Sequence, residues 1–581
     1  MLRSYVRRAT HRENRYVIAF VTSVRRCQTI PLGSVIQARN IRSTNATMVA
    51  GQSMTAARDA KAESDVKSNT IAGMTGNMKK EKKSINFLRG WPATSLLPAA
   101  ALRAASQTAL TDPSIWAPGL EYGPDPGYQP LREALARWLG RFYGGVIPTI
   151  SNTSTVKPEE DIADRITITG GASQSLACLL QSFTDPGQTL AIWVVAPCYF
   201  LACPIFEDAG FGGRLRAVPE DAEGVDIAVL EREMSALEER QKRGEGENSI
   251  SARYKTNDPH RKIYRHVVYC VPAFSNPSGR TTTCRRREEL VGLARTHDAL
   301  IICDDVYDML QWNTTPSPLS SDPENPPQPE QLHTALLPRI ADIDIARGRS
   351  AHDPEGKHFG HAVSNGSFSK LVAPGTRTGW TYSTADLALG LSRTGSTRSG
   401  GAASQIAATI VCELLLDKSE RSRGENPQCE LDTHIRHVLL PSYARRHAIL
   451  MRAIRDTLVP LGLGVSETSL VGHGGIYGGY FVWMTLPRAE EGKTWPTAQA
   501  IADCCRADED LMIGNGELFA VSGDESMCFE DAIRLCFAWL DEEDLVDGVE
   551  RLGRVIRRML DEGPGGWERS VPGLSQMDQA K

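Results

Sequence analysis

Three scarcities narrow this sequence before any motif is read. Its thirteen cysteines are scattered, with no C-x-x-C and no histidine spacing of the zinc type, and the adjacent Cys504 and Cys505 do not readily bridge each other. A disulfide framework and a structural metal therefore have no carrier, and a reducing, intracellular compartment fits. Long apolar runs are wanting as well: Tyr16 to Val24 is far too short to span a bilayer and is closed by Arg25 and Arg26. That argues against a membrane span and a secretory signal. Charge of one sign is the third scarcity, because the net charge is only -5 over 581 residues. Nothing global points to nucleic acid or to an acidic surface.

The first fifty residues are a local exception, with nine arginines, no lysine and one acid, Glu13. This composition resembles a mitochondrial presequence. It equally fits a disordered segment, or sequence upstream of a start at Met54, Met74 or Met78. In either case no side chain before Ser84 is expected to pack on the folded protein. The apolar fraction of 41% supports a full core. The length suits roughly three to four domains, or two large ones of the α/β kind.

What is present centres on Ser367-Phe368-Ser369-Lys370, followed by Leu-Val-Ala-Pro-Gly and Arg377. A lysine at a strand end, partly desolvated beside another cation, has a lowered pKa, and its neutral amine can attack a carbonyl. Hydroxyls and a guanidinium next to it suit a phosphate dianion. Taken alone, the stretch also fits a surface turn with a solvated lysine. Earlier in the chain, Gly90-Trp91-Pro92 closes an apolar segment, and Trp91 reads as a core anchor rather than the wall of an entrance. Tyr122-Gly-Pro-Asp-Pro-Gly127 is a turn cluster before a helix with 3.6-residue apolar spacing over Leu131 to Leu139.

Residues 165–200 read strand, turn, helix, strand. Gly170-Gly-Ala172-Ser173 at the first junction leaves backbone N–H groups at the positive end of a helix dipole, a phosphate cradle by construction or a tight turn without a ligand. Pro197-Cys-Tyr199 follows the second strand and is suited to hold a flat ring. A helix from Leu230 is expected to fray into a surface loop by Arg261. His266 to Val271 is a β-branched strand ending near Asn276-Pro-Ser-Gly279, whose backbone proline fixes. Thr283 to Thr296 is a helix, and Leu300 to Asp304 a buried strand with Tyr307 just past its end. Residues 313–360, rich in Pro, Ser, Asp and Glu, look like a surface insertion. Gly478 to Leu486 and Ile533 to Ala538 read as strands of a second unit, and Arg534, flanked by apolar residues, needs a partner.

Repeated strand-turn-helix units imply a mostly parallel sheet, with these polar residues at strand C-terminal ends, where open α/β sheets bind ligands. From Ile85 to about Arg557 the chain resembles the class I/II aminotransferases, fold-type I pyridoxal-phosphate enzymes, near the fungal 2-aminoadipate and aromatic branch. The resemblance implies an α/β fold: a large domain around a mostly parallel seven-stranded sheet, and a smaller α+β domain built from both ends of the chain. It places the large domain at 127–425, the small domain at 85–126 and 426–570, and leaves 1–84 and 571–581 as extensions.

The resemblance also assigns roles. Lys370 is the Schiff-base lysine and proton shuttle, and Asp304 keeps the pyridine nitrogen protonated. Tyr307 and Asn276 bond the phenolic oxygen of pyridoxal 5'-phosphate, and Tyr199 stacks on its ring. Ala172, Ser173, Ser367, Ser369 and Arg377 take the phosphate. Arg534 forks the substrate α-carboxylate, with Gly90 and Asn276 beside it. Tyr122 crosses to the neighbouring subunit's phosphate, so a homodimer with composite sites is implied. Arg398 is a candidate for a distal carboxylate and reads equally as a surface or interface salt bridge.

Two departures touch the substrate pocket: Val194-Val195-Ala196 precedes Tyr199 where many relatives carry an acid, and the 313–360 segment is long. The implied partners are an amino acid and a 2-oxo acid such as 2-oxoglutarate. The scaffold also hosts carbon-sulfur lyases and ACC synthase-like eliminations, which diverge only after the common carbanion. A DNA-binding regulator is the third reading, but residues 1–84 show no winged-helix periodicity. The compartment is expected to be cytoplasmic, or mitochondrial if the Arg-rich start is a presequence.

Overall fold

The computed structural model describes residues 82–146, 161–244, 253–314, 334–398, 400, 404–416, 429–466, 468–470, 475–487 and 494–567. The expectations for residues 1–81 and for the 571–581 tail lie outside the described residues.

The apolar, β-branched runs assemble into one sheet. Its order is Ile166–Thr169, Gly379–Tyr382, Ala362–Ser367, Ala299–Asp304, His266–Cys270, Ala191–Ala196 and Leu215–Asp221, with Gly224–Val225 as a two-residue eighth strand at the edge. Gly379–Tyr382 runs antiparallel to both neighbours, and Gly224–Val225 to its one; the remaining pairs are parallel. The expected seven strands are all there. The eighth is too short for residue patterning to announce it. Every residue of His266–Cys270 and Ala299–Asp304 is buried, so these strands read as unbroken apolar runs rather than alternating ones.

The helices start where capping chemistry allows. Thr283 accepts the Arg286 N–H at the head of Cys284–Thr296, and Asp226 accepts the Val229 N–H at the head of Ile227–Lys242. The second helix starts three residues before the expected Leu230 and ends at Lys242; of the loop expected up to Arg261, residues 245–252 lie outside the described residues and 253–261 hold no helix or strand. Beyond the large sheet, Phe481–Thr485 and Ala532–Cys536 pair antiparallel within a four-stranded sheet. Glu542–Glu562 buries Leu545, Val549, Leu552, Ile556 and Met559, one stripe at helical spacing. Near the other end of the chain, Ile85–Asn86 pairs parallel with Leu511–Met512.

Two expectations are corrected. Gly478 to Leu486 is not one strand but two, Ile476–Gly478 and Phe481–Thr485, in different sheets. Gly479 makes the break: its φ is +70°, and a Cβ there would sit 3.0 Å from the Phe274 carbonyl oxygen. Of the 313–360 segment, residues 315–333 lie outside the described residues, and the described part is not simply a surface insertion. Ile340–Ala346 is a helix with Ile340, Ala341, Ile343 and Ile345 in the core. Its acids point inward as well: Arg339 forks Asp342 at 2.8 and 2.9 Å, and Arg295 reaches Asp344 at 2.6 Å. Paired carboxylates can be buried, so an acidic composition was a poor guide to exposure here.

Candidate active site

The C-terminal ends of the parallel strands open on a cavity of about 530 Å³. Lys370 reaches it just past the Ala362–Ser367 strand, and its Nζ donates to the Gly90 carbonyl at 2.6 Å. The Tyr480 ring lies 5.2 Å from the same Nζ. Burial, with Arg534's charge adding to it, pushes the amine down to about 8; Cys536 and Asp304 act in the opposite direction.

Asp304 ends the next strand and is buried. Tyr269 Oη donates to its Oδ2 at 2.9 Å, and Asn365 Nδ2 lies 3.4 Å from its Oδ1. Burial raises its pKa to about 6, against the pull of Tyr269 and Lys370. The carboxyl lines the cavity.

On one side of the cavity the Ala172–Phe183 helix begins at Gly171, and no side chain caps it. Gly171 has φ +97°, and a Cβ there would stand 3.2 Å from Arg377 Nη2 and 3.7 Å from Ser367 Oγ. Ser367 Oγ donates to Ser369 Oγ at 3.0 Å, and Arg377 Nη2 donates to the Gly170 carbonyl at 3.0 Å. Open N–H groups, two hydroxyls and a guanidinium converge there, which is the donor set of a phosphate seat.

On the other side Arg534 is buried, with its guanidinium carbon 4.3 Å from the Phe481 ring and 4.6 Å from Phe519. Its Nη1 donates to Asn276 Oδ1 at 2.8 Å and its Nη2 to the Leu88 carbonyl, and among the described residues its Nε has no partner. Among the described residues no carboxylate pairs with it. Burial depresses its pKa to about 10, the mark of a cation held in place without a counter-ion. Because Asn276 Oδ1 is engaged by Arg534, its Nδ2 is the donor left to face the cavity. Tyr307 packs between Tyr480 and Phe481, and Tyr199 lines the cavity, its phenol pushed up to about 12 by burial.

These residues fit pyridoxal 5'-phosphate. The cradle that a Cβ on Gly171 would crowd, the buried Asp304 carboxyl, the lysine of depressed pKa and the Tyr199 ring stand in one cavity.

Of the expected site residues, all but two line this cavity. Tyr122 is 90% exposed outside it. Arg398 is exposed too, with its Nε 3.9 Å from Asp125 Oδ2. The two share one surface, since the Gly123 N–H donates to the Gly400 carbonyl at 3.1 Å. Trp91 corrects the core reading: it is 40% exposed and lines the cavity. Tyr269, Asn365 and Tyr480 were missed. A signal existed for the first two, polar side chains inside wholly buried strands, which must find partners. Tyr480 sits in the turn that split the expected strand, where patterning gave no hint.

The family model described as aminotransferase class I and II matches residues 84–552. An uncharacterized protein of Saccharomyces cerevisiae, YER152C, is 34% identical over 490 residues, 82% of this chain and 97% of its own. Aromatic-amino-acid aminotransferase 1 of Thermococcus litoralis is 24% identical over 82% of this chain and 88% of its own. Among solved structures, the α-aminoadipate aminotransferase LysN of Thermus thermophilus, complexed with N-(5'-phosphopyridoxyl)-L-leucine, has a TM-score of 0.54 at 23% identity. That match covers 83% of this chain and 94% of LysN, and what it shares is the fold.

Proposed function

The chain belongs to the aminotransferase class I and II family, and on that premise we propose that it moves the amino group of an aromatic, 2-aminoadipate or related L-amino acid to a 2-oxo acid such as 2-oxoglutarate. The observation that carries this reading is the convergence of Lys370, Asp304 and an unpaired, buried Arg534 on one cavity. Amino acid and oxo acid share the α-carboxylate, so one guanidinium serves both halves of a ping-pong exchange.

Bound pyridoxal phosphate supplies the electron sink for the pair left at the substrate Cα when its proton departs. This chain does the rest. Arg534 grips the α-carboxylate through its fork, which Asn276 orients at 2.8 Å. Lys370, its amine poised near 8, takes the proton from Cα and returns it. Asp304 holds a proton at the pyridine nitrogen through its negative charge. Tyr307 and the Asn276 Nδ2 bond the phenolic oxygen, and Ala172, Ser173, Ser367, Ser369 and Arg377 hold the phosphate. Leu88 and Phe200 help keep water from the reacting atoms.

The test is a half-reaction: holoenzyme mixed with a panel of amino acids and no oxo acid, with the cofactor's absorbance followed. Productive donors are expected to convert the cofactor to its amine form without releasing ammonia, and 2-oxoglutarate to reverse the change. Ammonia release with the starting absorbance restored would move the assignment to a lyase.

We propose further that the site is completed by a second copy of the chain. Tyr122 and Arg398 stand on one exposed surface and do not reach their own cavity, which suits residues that serve a partner's. Tyr122→Phe should then weaken cofactor affinity about tenfold, the worth of a hydrogen bond to a charged phosphate. Arg398→Ala should raise KM for dicarboxylic substrates selectively, and light scattering should give a dimer. A monomer, or equal effects of Arg398→Ala on all substrates, would reject the arrangement.

A further inference from the structure

We infer that Trp91, braced by Arg89 and Trp539, selects a flat aromatic side chain on the amino donor; this rests on the transamination reading and names the substrate class of the same site. The segment carrying Trp91 is firmly held. Asn86 Oδ1 accepts the N–H groups of Leu88 at 2.8 Å and Arg89 at 3.1 Å, while Trp539 Nε1 donates to the Asn86 carbonyl at 2.7 Å. The next carbonyls face the chemistry: Leu88 O accepts from Arg534 and Gly90 O from Lys370. Trp91 is therefore placed by the same turn that touches both reacting-end cations.

The indole itself is braced. Arg89 sets its guanidinium carbon 4.7 Å from the Trp91 ring and 5.4 Å from Trp539, and the two rings lie 6.2 Å apart at 60°. Among the described residues Arg89 Nε is buried without a hydrogen-bond partner, and two indole rings lie within cation–π reach of the guanidinium. The remaining Trp91 surface lines the cavity beside Pro92, Leu97, Phe200 and Leu201.

With the α-carboxylate on Arg534 and the Cα proton at Lys370, the apolar wall carrying Trp91, Pro92, Leu97, Phe200 and Leu201 is lining of the same cavity that is open to the substrate side chain. The cations among the described lining residues, Lys370, Arg377 and Arg534, are already committed to the reacting centre, the phosphate and the carboxylate. A broad indole offers an aromatic ring offset-stacked or edge-on contact, which an aliphatic or carboxylate chain cannot match.

The experiment compares wild type, Trp91→Ala, Trp91→Phe and Arg89→Met holoenzymes in the half-reaction with phenylalanine, tyrosine, alanine and 2-aminoadipate. Calorimetry with 3-phenylpropionate and with butyrate adds a readout free of turnover. Trp91→Ala should lower kcat/KM for phenylalanine and tyrosine by ~10- to 200-fold more than for alanine, the discrimination an apolar pocket commands. It should weaken 3-phenylpropionate at least about tenfold more than butyrate, with cofactor content retained. Trp91→Phe should restore most of both, and Arg89→Met should show a smaller loss of the same sign. An equal fall across donors, or equal binding of 3-phenylpropionate to wild type and Trp91→Ala, overturns the assignment. So does a loss in Arg89→Met confined to 2-aminoadipate, which would make Arg89 a carboxylate receptor. If 3-phenylpropionate binds through Trp91 while no donor loses its amino group, the pocket stands and transamination falls.

Discussion

Lys370→Ala is expected to lower turnover by at least ~10⁴-fold, because one substitution removes both the amine that anchors the cofactor and the base that moves the Cα proton. The phosphate cradle and Asp304 remain, so the variant should still retain pyridoxal phosphate through desalting. Added ethylamine should restore part of the rate by filling the vacated space with a free amine. If the variant keeps more than a hundredth of wild-type activity, Lys370 is not the proton shuttle.

The same side chain makes a prediction for the protein stripped of cofactor. In the fold its pKa is lowered from 10.5 to about 8, so the folded state binds the proton less well than the unfolded chain. The penalty is full below pH 8, shrinks as pH rises toward 10.5, and amounts to about 3 kcal/mol at neutral pH. Lys370→Met removes the buried charge at similar volume. The stripped variant should therefore melt higher than the stripped wild type at pH 7, with a gap that narrows by pH 10. An unchanged or lowered melting temperature at pH 7 would show that the lysine is not held against its preferred charge state.

Much of this was legible in the sequence, for physical reasons. Strands buried on both faces, such as Ala299–Asp304, leave apolar runs whose end is marked by a polar residue, here Asp304, while Lys370 and Asn276 stand in the turns beyond their strands. Gly170 and Gly171 announce a helix start without a side-chain cap. What escaped depends on neighbours distant in the chain. Tyr269 matters because parallel pairing sets the His266–Cys270 strand beside Ala299–Asp304, and Tyr480 because a turn brings it to Lys370. Trp91 looked like core because nothing local reveals that Arg89 and Trp539 brace it at a cavity edge. The helix Ile340–Ala346 was hidden by its own aspartates: Asp342 has its partner Arg339 close by in the chain, but Asp344's partner Arg295 is one that only the fold supplies.

Arg534→Lys is expected to cost ~10²- to 10³-fold in kcat/KM for both amino acids and 2-oxo acids, although the charge is kept. A lysine has the charge but not the planar fork, and at a buried site the lost hydrogen bonds to a carboxylate are worth several kcal/mol. The geometry leaves little room for compensation. Leu88 O and Asn276 Oδ1 sit where the two Nη atoms reach them, and Phe481 and Phe519 flank the plane. An ammonium on a flexible stem can serve one of these acceptors, but not both and a substrate carboxylate together. The effect should appear mainly in KM if the contact is equally strong in substrate and transition state, and in kcat if it tightens as the reaction proceeds. A paired substrate separates recognition from general damage to the site. Phenylalanine and 2-phenylethylamine share the ring and the amine, and only the first has the carboxylate. Arg534→Met should therefore erase most of the preference of the wild type for phenylalanine over 2-phenylethylamine. If the preference survives while both rates fall together, the buried cation is a structural element, and the carboxylate is held elsewhere in the cavity.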